Sequence, residues 1–577
     1  MHVITSLTKI PYKIKQICIA LACILGVIIL RLFHLQILLN QRFITQGEKN
    51  FLRINTVPAA RGSIFDRFGT PLATNRVAFD LYWHGTGNHS LSNEQLNLLK
   101  AVCLLLEKSI DTELVSHVNR AERRNKTFIL AQDLSFEQLS KIEELCGKQS
   151  SLSILKRFIR YYPFEKMASH LIGYLGMQDD SLVGKTGIEK IGNTVLTGKK
   201  GTIELTINSL GSILKQKELQ SPTSGGDLIL NLDATLQHLC HSVFPADKAG
   251  AFLIIDPEDG ALLASLSQPD FDPSLFLNPI TPHEWRTLQA KNIFLNRAFN
   301  ASYPPGSLFK LVTASTALEL GITTPHTPWH CDGFVCFGNR NYWCARHQGH
   351  GELTIQQALA LSCNAVFYEL AKQLSIDALA DYAHCFGLGY QTGIILPEQN
   401  GLVPTTHWKQ LVKGEPWWQG ETLSVSIGQS FLLTTPLQIA RFIASIFTGY
   451  LVKPRILYDE PVEKTPLAIR ESTRIFLQNS MKSAVTQGTG KRINKIADLE
   501  VYAKTSTAQT STLNKRSLGE SYLEHGWLVG HCSYKNNKPI TFVIIVENAG
   551  SSRIPTDIAK SFLLAYRSYM KTNEEFY

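Results

Sequence analysis

The sequence predicts an α/β fold, in which an antiparallel sheet flanked by helices follows a transmembrane helix and an elongated α+β pedestal domain. Three observations predict it. One apolar segment near the N-terminus is long enough to span a bilayer, a middle region mixes short strand and helix patterns, and two distant strand pairs enclose helix-rich sequence. The predicted limits are a cytoplasmic N-terminus (1–16), a membrane anchor (17–39), the pedestal (45–225) and a large C-terminal domain (226–577).

Length and composition allow several folded parts. The chain has 577 residues and 44% hydrophobic content, which is enough for large cores. Its 57 basic side chains against 48 acidic ones make it only mildly basic, and no long Lys/Arg run is interleaved with aromatic residues. Nucleic acid is therefore not an expected partner. A positive surface would suit an anionic lipid or polymer, although ordinary solubility is the simpler explanation.

The apolar segment 17–39 predicts how the chain meets the membrane. Its 23 residues span about 30 Å as a helix. Lysines precede it at Lys9, Lys13 and Lys15. Positive charge on the N-terminal side keeps that side in the cytoplasm, so the rest of the chain is expected outside the inner leaflet. A buried core helix is the alternative, since Arg31 and His34 fall inside the span.

Residues 20–23 (Ala-Leu-Ala-Cys) also suit a lipoprotein cleavage site before Cys23. The apolar stretch ahead of them is shorter than a signal core of about 7 to 15 residues, and the apolar run continues past Cys23. We therefore expect an uncleaved signal anchor.

The strand patterns of the C-terminal domain lie near its two ends. Residues 251–256 and 261–267 flank a Pro-Glu-Asp-Gly turn and predict a hairpin. Residues 526–534 and 540–546 predict a second strand pair, followed by a terminal helix over 556–571. Helix-rich sequence between the pairs predicts helices on the faces of an antiparallel sheet.

Ser307 and Lys310 form the most informative motif, a Ser-x-x-Lys at the start of an apolar helix. Residues 304–306 (Pro-Pro-Gly) do not continue a helix backwards, so the helix is expected to begin near Ser307 and to stop at Gly321. Residues three apart on a helix point the same way. A partly desolvated amine can take the proton of a serine hydroxyl, so the spacing predicts an activated nucleophile. A single S-x-x-K also occurs by chance.

Two later segments carry residue types that suit the same chemistry. Ser362-Cys363-Asn364 interrupts a helical pattern, and such residues favour a bend that turns a hydroxyl and an amide towards a cleft. Residues 501–508 are typical of a strand and place Lys504 among hydroxyl side chains. A cation and hydroxyls on a strand edge suit a carboxylate ligand.

In this order the three segments resemble the S-x-x-K, S-x-N and K-T-G motifs of the penicillin-recognising serine enzymes. Ser506 stands where that family usually has glycine. A Cβ there is able to crowd a substrate backbone that lies along the strand. We expect activity, and leave open the tolerance for bulky substrates and β-lactams.

Other segments resemble class B penicillin-binding proteins, in particular the elongation-type penicillin-binding protein 2 family. They are residues 61–67 (RGSIFDR), 160–163 (RYYP), 170–174 (HLIGY), 184–190 (GKTGIEK), 426–429 (SIGQ) and 435–438 (TPLQ). The resemblance covers most of the chain. It implies a β-lactamase-like transpeptidase domain over 226–577, after a dimerisation-like pedestal that a β-lactamase would not have.

The resemblance implies peptidoglycan D,D-transpeptidation. Ser307 would attack the carbonyl between the last two D-alanines of a stem peptide, and an amine from a neighbouring strand would then take the acyl group. Lys310 is the implied general base, Ser362 a proton relay towards the leaving amine, and Asn364 a donor to the substrate amide. Taken singly, Asn364 also suits a helix cap and Ser362 a bend.

The strand motif completes the implied site. Lys504, Thr505 and Thr507 are expected to bind the terminal carboxylate, with Ser506 beside them in the substrate-binding set. The backbone N–H groups of Ser307 and Thr507 are expected to hold the oxyanion. The alternative for Lys504 is a solvated strand charge.

Cysteine usage predicts a structural Zn²⁺ site. Four of the eleven cysteines lie between residues 331 and 363, alongside His330, His347 and His350. The predicted ligands are Cys331, Cys344, His350 and Cys363. Three thiolates and an imidazole can close a tetrahedral site that leaves no position for water. The choice among them is implied by resemblance, because some elongation-type class B proteins carry a comparable cluster that includes the middle residue of S-x-N.

The competing interpretation is a disulfide, for example between Cys331 and Cys336, because the domain is expected in an oxidising compartment. Unpaired structural cysteines are a third possibility. A histidine between cysteines contributes nothing to a disulfide, which favours the metal.

The resemblance also implies location and partners. We expect a single-pass protein of the bacterial inner membrane, with its catalytic domain on the periplasmic side, that meets stem peptides, β-lactams and a polytopic shape-and-elongation-family glycosyltransferase. Elongation is favoured over septation. The alternatives are a D,D-carboxypeptidase, a penicillin-sensing receptor, and a scaffold with little or no catalysis, the last motivated by Ser506.

Overall fold

A computed structural model describes residues 12–44, 52–124, 126–146, 151–178, 181–207, 213–510, 519–535 and 537–576. Most of the predicted cytoplasmic segment 1–16 lies outside these residues. Helices and strands are numbered in chain order. Up to residue 220 they are α1 (Tyr12–Phe33), β1 (Leu52–Val57), β2 (Ile64–Phe65), β3 (Pro71–His84), α2 (Asn93–Leu105), α3 (Thr112–Arg123), β4 (Thr127–Ala131), α4 (Phe136–Cys146), β5 (Leu152–Tyr161), α5 (Ser169–Ile172), β6 (Leu175–Gln178), β7 (Ser181–Gly184), α6 (Gly187–Ile191), α7 (Asn193–Leu196), β8 (Gly201–Ile207) and β9 (Ile213–Gln220).

The remaining elements follow from residue 228. They are β10 (Leu228–Ile229), α8 (Ala234–Val243), β11 (Gly250–Ile255), β12 (Leu262–Gln268), α9 (Pro282–Ala290), α10 (Lys310–Glu319), β13 (Pro328–Cys331), β14 (Phe334–Phe337), β15 (Arg340–Trp343), β16 (Gly351–Thr354), α11 (Ile355–Ala360), α12 (Ala365–Ala371), α13 (Ile376–Cys385), α14 (Thr406–Lys413), α15 (Gln419–Ser426), α16 (Pro436–Thr448), β17 (Tyr450–Val452), β18 (Lys464–Pro466), α17 (Glu471–Thr486), β19 (Leu499–Ala508), β20 (His525–Tyr534), β21 (Ile540–Val546) and α18 (Arg553–Phe576). Short 3₁₀ turns span Pro273–Leu277, Gly306–Leu308, Lys491–Ile493 and Glu520–Tyr522.

The N-terminal helix α1 continues into a π-helical turn, His34–Leu38. Its apolar part, Ile14–Leu38, is long enough to cross a bilayer, and none of its most apolar 18-residue stretch is buried. Apolar side chains exposed all round suit a lipid environment rather than a protein core. The helix thus fits the predicted single-pass anchor.

The chain divides into two compact units that interleave along the sequence. The first comprises residues 1–60, 76–159 and 198–224, and the second comprises 61–75, 160–197 and 225–577. The segments 61–75 and 160–197, which we assigned to the pedestal, thus cluster with the large unit. The domain limits 45–225 and 226–577 stay a prediction.

The first unit has its own sheet and core. Strands β1, β8 and β9 form an antiparallel sheet in the order β1-β8-β9. A separate apolar core gathers residues from β3, β4 and helices α2 to α4, among them Leu81, Trp83, Leu99, Val118 and Ile142. This mixture of strands and helices is the predicted α+β composition.

The second unit is built on a five-stranded antiparallel sheet, in the order β12-β11-β21-β20-β19. Every residue of β11 and β21 is buried, which marks them as central strands covered on both faces. One face carries Phe252 and Phe542, which pack against Phe562 of α18, and this face also packs with α8. The other carries Val543 and Ile545 and joins the core of the helical part. The predicted fold class is confirmed.

Three of the motifs that we quoted from the first half of the chain meet in a buried ion-pair network. Glu189, from residues 184–190, has no exposed side-chain surface and accepts hydrogen bonds from Arg61 Nε and Arg160 Nε, each at 2.7 Å. Arg160 Nη1 also donates to the carbonyl of Gly62 at 2.6 Å. The motifs RGSIFDR, RYYP and GKTGIEK therefore stabilise the second unit internally, because a buried charge needs partners of opposite sign.

Candidate active site and cysteine–histidine cluster

The candidate nucleophile lies in a tight turn rather than in the helix itself. Ser307 is the middle residue of the 3₁₀ turn Gly306–Leu308, and α10 begins three residues later at Lys310. Gly306 has φ +54°, and its N–H donates to the carbonyl of Gly428 at 2.9 Å. A backbone hydrogen bond thus holds the turn against the segment 426–429. Helix α10 starts close to the predicted position.

Lys310 is buried and holds the S-x-N turn through three hydrogen bonds. Its Nζ donates to the carbonyl of Ser362 at 2.8 Å, to Ser362 Oγ at 3.3 Å and to Asn364 Oδ1 at 2.7 Å. The side chain has no exposed surface. The first two predicted motifs are therefore in contact, although 52 residues separate Lys310 from Ser362.

Ser362 connects all three motifs. It follows α11 and precedes α12, so the predicted bend is confirmed, and its φ of +56° lies in the left-handed region. Its hydroxyl lies 2.8 Å from Ser307 Oγ. Lys504 Nζ also donates to Ser362 Oγ, at 3.2 Å. A strained backbone at a hydroxyl that meets two lysines and a serine is typical of an active site.

The two lysines have abnormally low pKa values. Burial lowers the pKa of Lys310 to about 8, against the opposite effect of the nearby Cys363 and Cys344 thiols. Burial and then the charge of Lys310 lower the pKa of Lys504 well below its ordinary value. An amine with a pKa near 8 is partly neutral at physiological pH, so Lys310 can accept a proton.

Strand β19 supplies the third motif at the edge of the sheet. Lys504, Thr505 and Ser506 are buried, whereas Thr507 is exposed. Thr505 Oγ1 lies 2.5 Å from Thr489 Oγ1. Hydroxyls and a lysine are therefore presented along one strand, as predicted for a carboxylate subsite.

The three motifs line one groove of about 510 Å³. Its lining includes Ser307, Trp343, Cys344, His347, Ser362, Asn364, Tyr368, Ile427, Gln429, Thr489, Thr505, Ser506, Thr507, Gln509, Glu524 and Ser552. A larger cavity of about 680 Å³ lies elsewhere in the same unit and contains no residue of the three motifs. We place the candidate active site in the smaller groove, because this groove contains the candidate nucleophile Ser307.

Some groove residues were not predicted from the sequence. Thr489 follows α17 in a Gly-Thr-Gly turn that carried no recognisable signal, and only its contact with Thr505 reveals it. Trp343 lines the groove, and its carbonyl accepts a hydrogen bond from Asn364 Nδ2 at 3.2 Å. Gln429 lies in the quoted motif 426–429, which had no role assigned to it.

The four predicted metal ligands meet beside the groove. The candidate ligand atoms of Cys331, Cys344, His350 and Cys363 lie within 4.8 Å of one another, and the three thiols are buried. His350 Nδ1 is 3.6 Å from both Cys331 Sγ and Cys344 Sγ, and Cys344 Sγ is 3.8 Å from Cys363 Sγ. The backbone N–H of Asn364 points at Cys344 Sγ, 3.4 Å away.

The three shortest of these separations, 3.6, 3.6 and 3.8 Å, fit a tetrahedral zinc ion. With Zn–S bonds of about 2.3 Å and Zn–N bonds of about 2.0 Å, tetrahedral ligands lie about 3.8 Å apart for two sulfurs and about 3.5 Å apart for sulfur and nitrogen. Four protein ligands would close the site, as in structural zinc centres. The donor set and its spacing therefore suit this ion.

The alternative disulfide is not formed. Every cysteine that the structure describes is a free thiol, including Cys331 and Cys336. Cys336 is exposed and its thiol hydrogen-bonds to Asn341 Oδ1 at 3.0 Å, whereas Cys331 is buried in the cluster. The two side chains thus lie in different environments.

Comparisons with known proteins identify the family of this chain. Residues 250–564 match the family model of the penicillin binding protein transpeptidase domain. The chain belongs to the penicillin-binding protein transpeptidase family. Residues 56–230 match the model of the penicillin-binding protein dimerisation domain. The resemblance drawn from the motifs is therefore confirmed.

Individual relatives cover nearly the whole chain. The peptidoglycan D,D-transpeptidase MrdA of Acinetobacter baumannii is 30% identical, over 94% of this chain and 85% of that protein. A complex between penicillin-binding protein PBP2 and MreC from Helicobacter pylori contains a chain with TM-score 0.76 and 26% identity, covering 89% of this chain and 98% of that one. A peptidoglycan synthase complex that coordinates polymerization and crosslinking contains another, with TM-score 0.74, 29% identity, and coverage of 96% and 98%.

Proposed function

We propose that this protein is a membrane-anchored peptidoglycan D,D-transpeptidase that works through an acyl-serine intermediate on Ser307. The observation that carries the proposal is the 2.8 Å contact between Ser307 Oγ and Ser362 Oγ, with the buried Lys310 behind it. Membership of the transpeptidase family and the likeness to MrdA support the reaction class.

Acylation begins with the Ser307 hydroxyl. Ser307 Oγ forms a bond to the carbonyl carbon between the last two D-alanines, while its proton passes to Ser362 Oγ and a proton from Ser362 reaches the neutral Lys310 amine. The C–N bond then breaks, and the leaving D-alanine nitrogen receives a proton back through Ser362. Lys310 and Ser362 lie close enough to form this path, at 3.3 Å.

The acyl group then moves to an acceptor amine. The amine nitrogen attacks the ester carbonyl and loses a proton to Lys310 along the same path. The bond between the acyl carbon and Ser307 Oγ then breaks, and Ser307 Oγ regains a proton through Ser362. Backbone N–H groups of Ser307 and Thr507 are our proposed oxyanion donors, each contributing a few kcal/mol as a rough expectation. Asn364 would donate to the substrate amide, and Lys504, Thr505 and Thr507 would bind its terminal carboxylate.

Labelling with a fluorescent penicillin tests the nucleophile. We expect wild-type protein to form a covalent adduct that maps to Ser307 by mass spectrometry, and Ser307→Ala to fold normally without one. Labelling that survives the substitution would remove Ser307 from this role. Product analysis with a stem-peptide donor and an amine acceptor then separates cross-linked product from hydrolysed donor, the carboxypeptidase result, or from neither, the scaffold result.

We further propose that the cluster Cys331, Cys344, His350 and Cys363 holds a structural Zn²⁺. The ion would supply no chemistry to the reaction and would act by holding these four side chains. Cys363 lies between Ser362 and Asn364, so a fixed Cys363 would keep both neighbours at Lys310. The ligand spacing described above supports the assignment. Metal analysis that finds far less than one zinc per chain would contradict it.

Location and partners follow from the same family. We propose that α1 anchors the protein in the bacterial inner membrane with the catalytic unit outside, and that the protein serves elongation beside a polytopic glycosyltransferase. The solved peptidoglycan synthase complex that couples polymerization with crosslinking supports such a pairing. Co-purification from membranes tests it, and recovery with division proteins alone would count against it.

A further inference from the structure

Ser506, the residue that departs from the K-T-G pattern, directs its hydroxyl at the loop before the nucleophile. Its Oγ donates to the carbonyl of Pro305 at 2.8 Å, two residues before Ser307. The side chain is 3% exposed. Its Oγ is therefore engaged by the protein, while crowding of the substrate by its Cβ stays a prediction.

That carbonyl is one of few backbone groups by which the loop can be held. Pro304 and Pro305 have no N–H, so their carbonyls are the backbone hydrogen-bonding groups that they offer. The carbonyl of Pro304 accepts from Trp527 Nε1 at 3.1 Å. Ser506 and Trp527 are direct partners across β19 and β20. One cross-strand pair therefore binds two successive carbonyls.

The hydroxyl also fills the space beside Gly306. A Cβ built on Gly306 would come within 2.4 Å of Ser506 Oγ, and Gly306 already has a positive φ. The Gly306 N–H is also bound to the carbonyl of Gly428. Gly306 is thus enclosed between Ser506 and Gly428, with no room for a side chain.

We propose that Ser506 is a positioning residue that fixes the separation between Ser307 Oγ and the backbone N–H of Thr507 during acylation. Ser506 directly precedes Thr507 on β19, and its hydroxyl bonds this part of the strand to Pro305. A glycine at 506 has no side-chain atom that could form this bond. The inference rests on the proposed roles of Ser307 as nucleophile and Thr507 as oxyanion donor. Small errors in such a geometry lower the rate more than the affinity.

Two substitutions and a matched control test it. Ser506→Ala keeps the Cβ and removes the hydroxyl, and Ser506→Gly removes both. Ser445→Ala removes a buried serine hydroxyl bond within one helix, from Ser445 Oγ to the carbonyl of Phe442 at 2.7 Å in α16, away from the groove. Stopped-flow reaction with a fluorescent penicillin separates the dissociation constant from the acylation rate constant, and calorimetry measures Tm.

We expect Ser506→Ala to lower the acylation rate constant about fivefold to tenfold, the loss typical of one hydrogen bond, with the dissociation constant within about twofold. Ser506→Gly should lose at least as much. Ser445→Ala should leave both constants unchanged.

An Ala variant within twofold of wild type, or a Gly variant that acylates faster, would overturn the proposal. Equal rate losses in Ser506→Ala and Ser445→Ala would overturn it as well, by indicating a general loss of stability. Failure of the proposed nucleophile is a separate result, since it would appear as labelling of Ser307→Ala.

Discussion

Lys310 and Lys504 direct their ammonium nitrogens at the same hydroxyl, Ser362 Oγ, from 3.3 and 3.2 Å. Two buried amines that share one acceptor are unfavourable when both are charged, since neither is solvated and their charges repel. The arrangement is more favourable when one of the two amines is neutral. A neutral amine is what a general base requires.

The rate of acylation should therefore depend on pH through Lys310. Its pKa is lowered to about 8, and the base is active only when neutral, so the rate constant should rise about tenfold per pH unit below that value and level off above it. Stopped-flow acylation between pH 6 and 9.5 measures this. Lys310→Arg, which stays charged over the range, should lose at least about 100-fold above pH 8 and should lack the rise with pH. A flat wild-type profile would contradict the assignment.

Ser362 and Thr489 should affect different steps. Ser362→Ala removes the hydroxyl between Ser307 and Lys310, so we expect the acylation rate constant to fall by about 100-fold or more.

Thr489→Val removes only the partner of the Thr505 hydroxyl and should mainly weaken binding of the substrate carboxylate, by about fivefold. Separate measurement of the rate constant and the dissociation constant tests the division, and the reverse pattern would refute it.

Removal of the metal should loosen the S-x-N turn. Cys344→Ser, or treatment with a strong chelator, should release about one zinc per chain, lower Tm and slow acylation together, because Cys363 then no longer holds Ser362 and Asn364. Cys336→Ser is the matched control, since that thiol is exposed and outside the cluster. Metal content, Tm and labelling rate are the readouts. If acylation were unchanged after complete loss of zinc, the proposed mechanical link would fail.

The ion-pair network of Glu189 should be essential for folding of the second unit. Glu189→Gln leaves Arg61 and Arg160 as buried cations with a neutral partner, which we expect to destabilise the protein by about 3 kcal/mol. Glu137→Gln is the control, because its ion pair with Lys141 is exposed and should contribute no measurable stability. Chemical denaturation compares the two, and equal midpoints would disprove the structural role of the motif.

Much of the site was predictable from residue types and order. The S-x-x-K spacing required Ser307 and Lys310 to lie on adjacent turns, the S-x-N segment was expected to form a bend, and the strand bearing Lys504 followed from its β-branched composition. The five-stranded sheet and the terminal helix were expected from strand and helix patterns. Local patterns of this kind are written in the sequence because they depend on neighbouring residues.

Other features had no local signal. Thr489 reaches Thr505 only because α17 packs against β19, and Trp527 reaches Pro304 only because β20 pairs with β19 in one particular register. The clustering of residues 61–75 and 160–197 with the large unit likewise had no local signal, because it depends on contacts between segments far apart in the chain.

By itself, the sequence determined the reaction class, through a serine and a lysine one turn apart and two supporting motifs in order. It also indicated an apolar anchor and a cysteine–histidine group. The tertiary structure decided what each group touches, namely that Lys310 meets Ser362 and Asn364, that four metal-type ligands converge, and that the Ser506 hydroxyl binds Pro305. The physical reason is that residue types and spacing set chemical capability, whereas distances between residues far apart in the chain arise only when strands pair and cores pack.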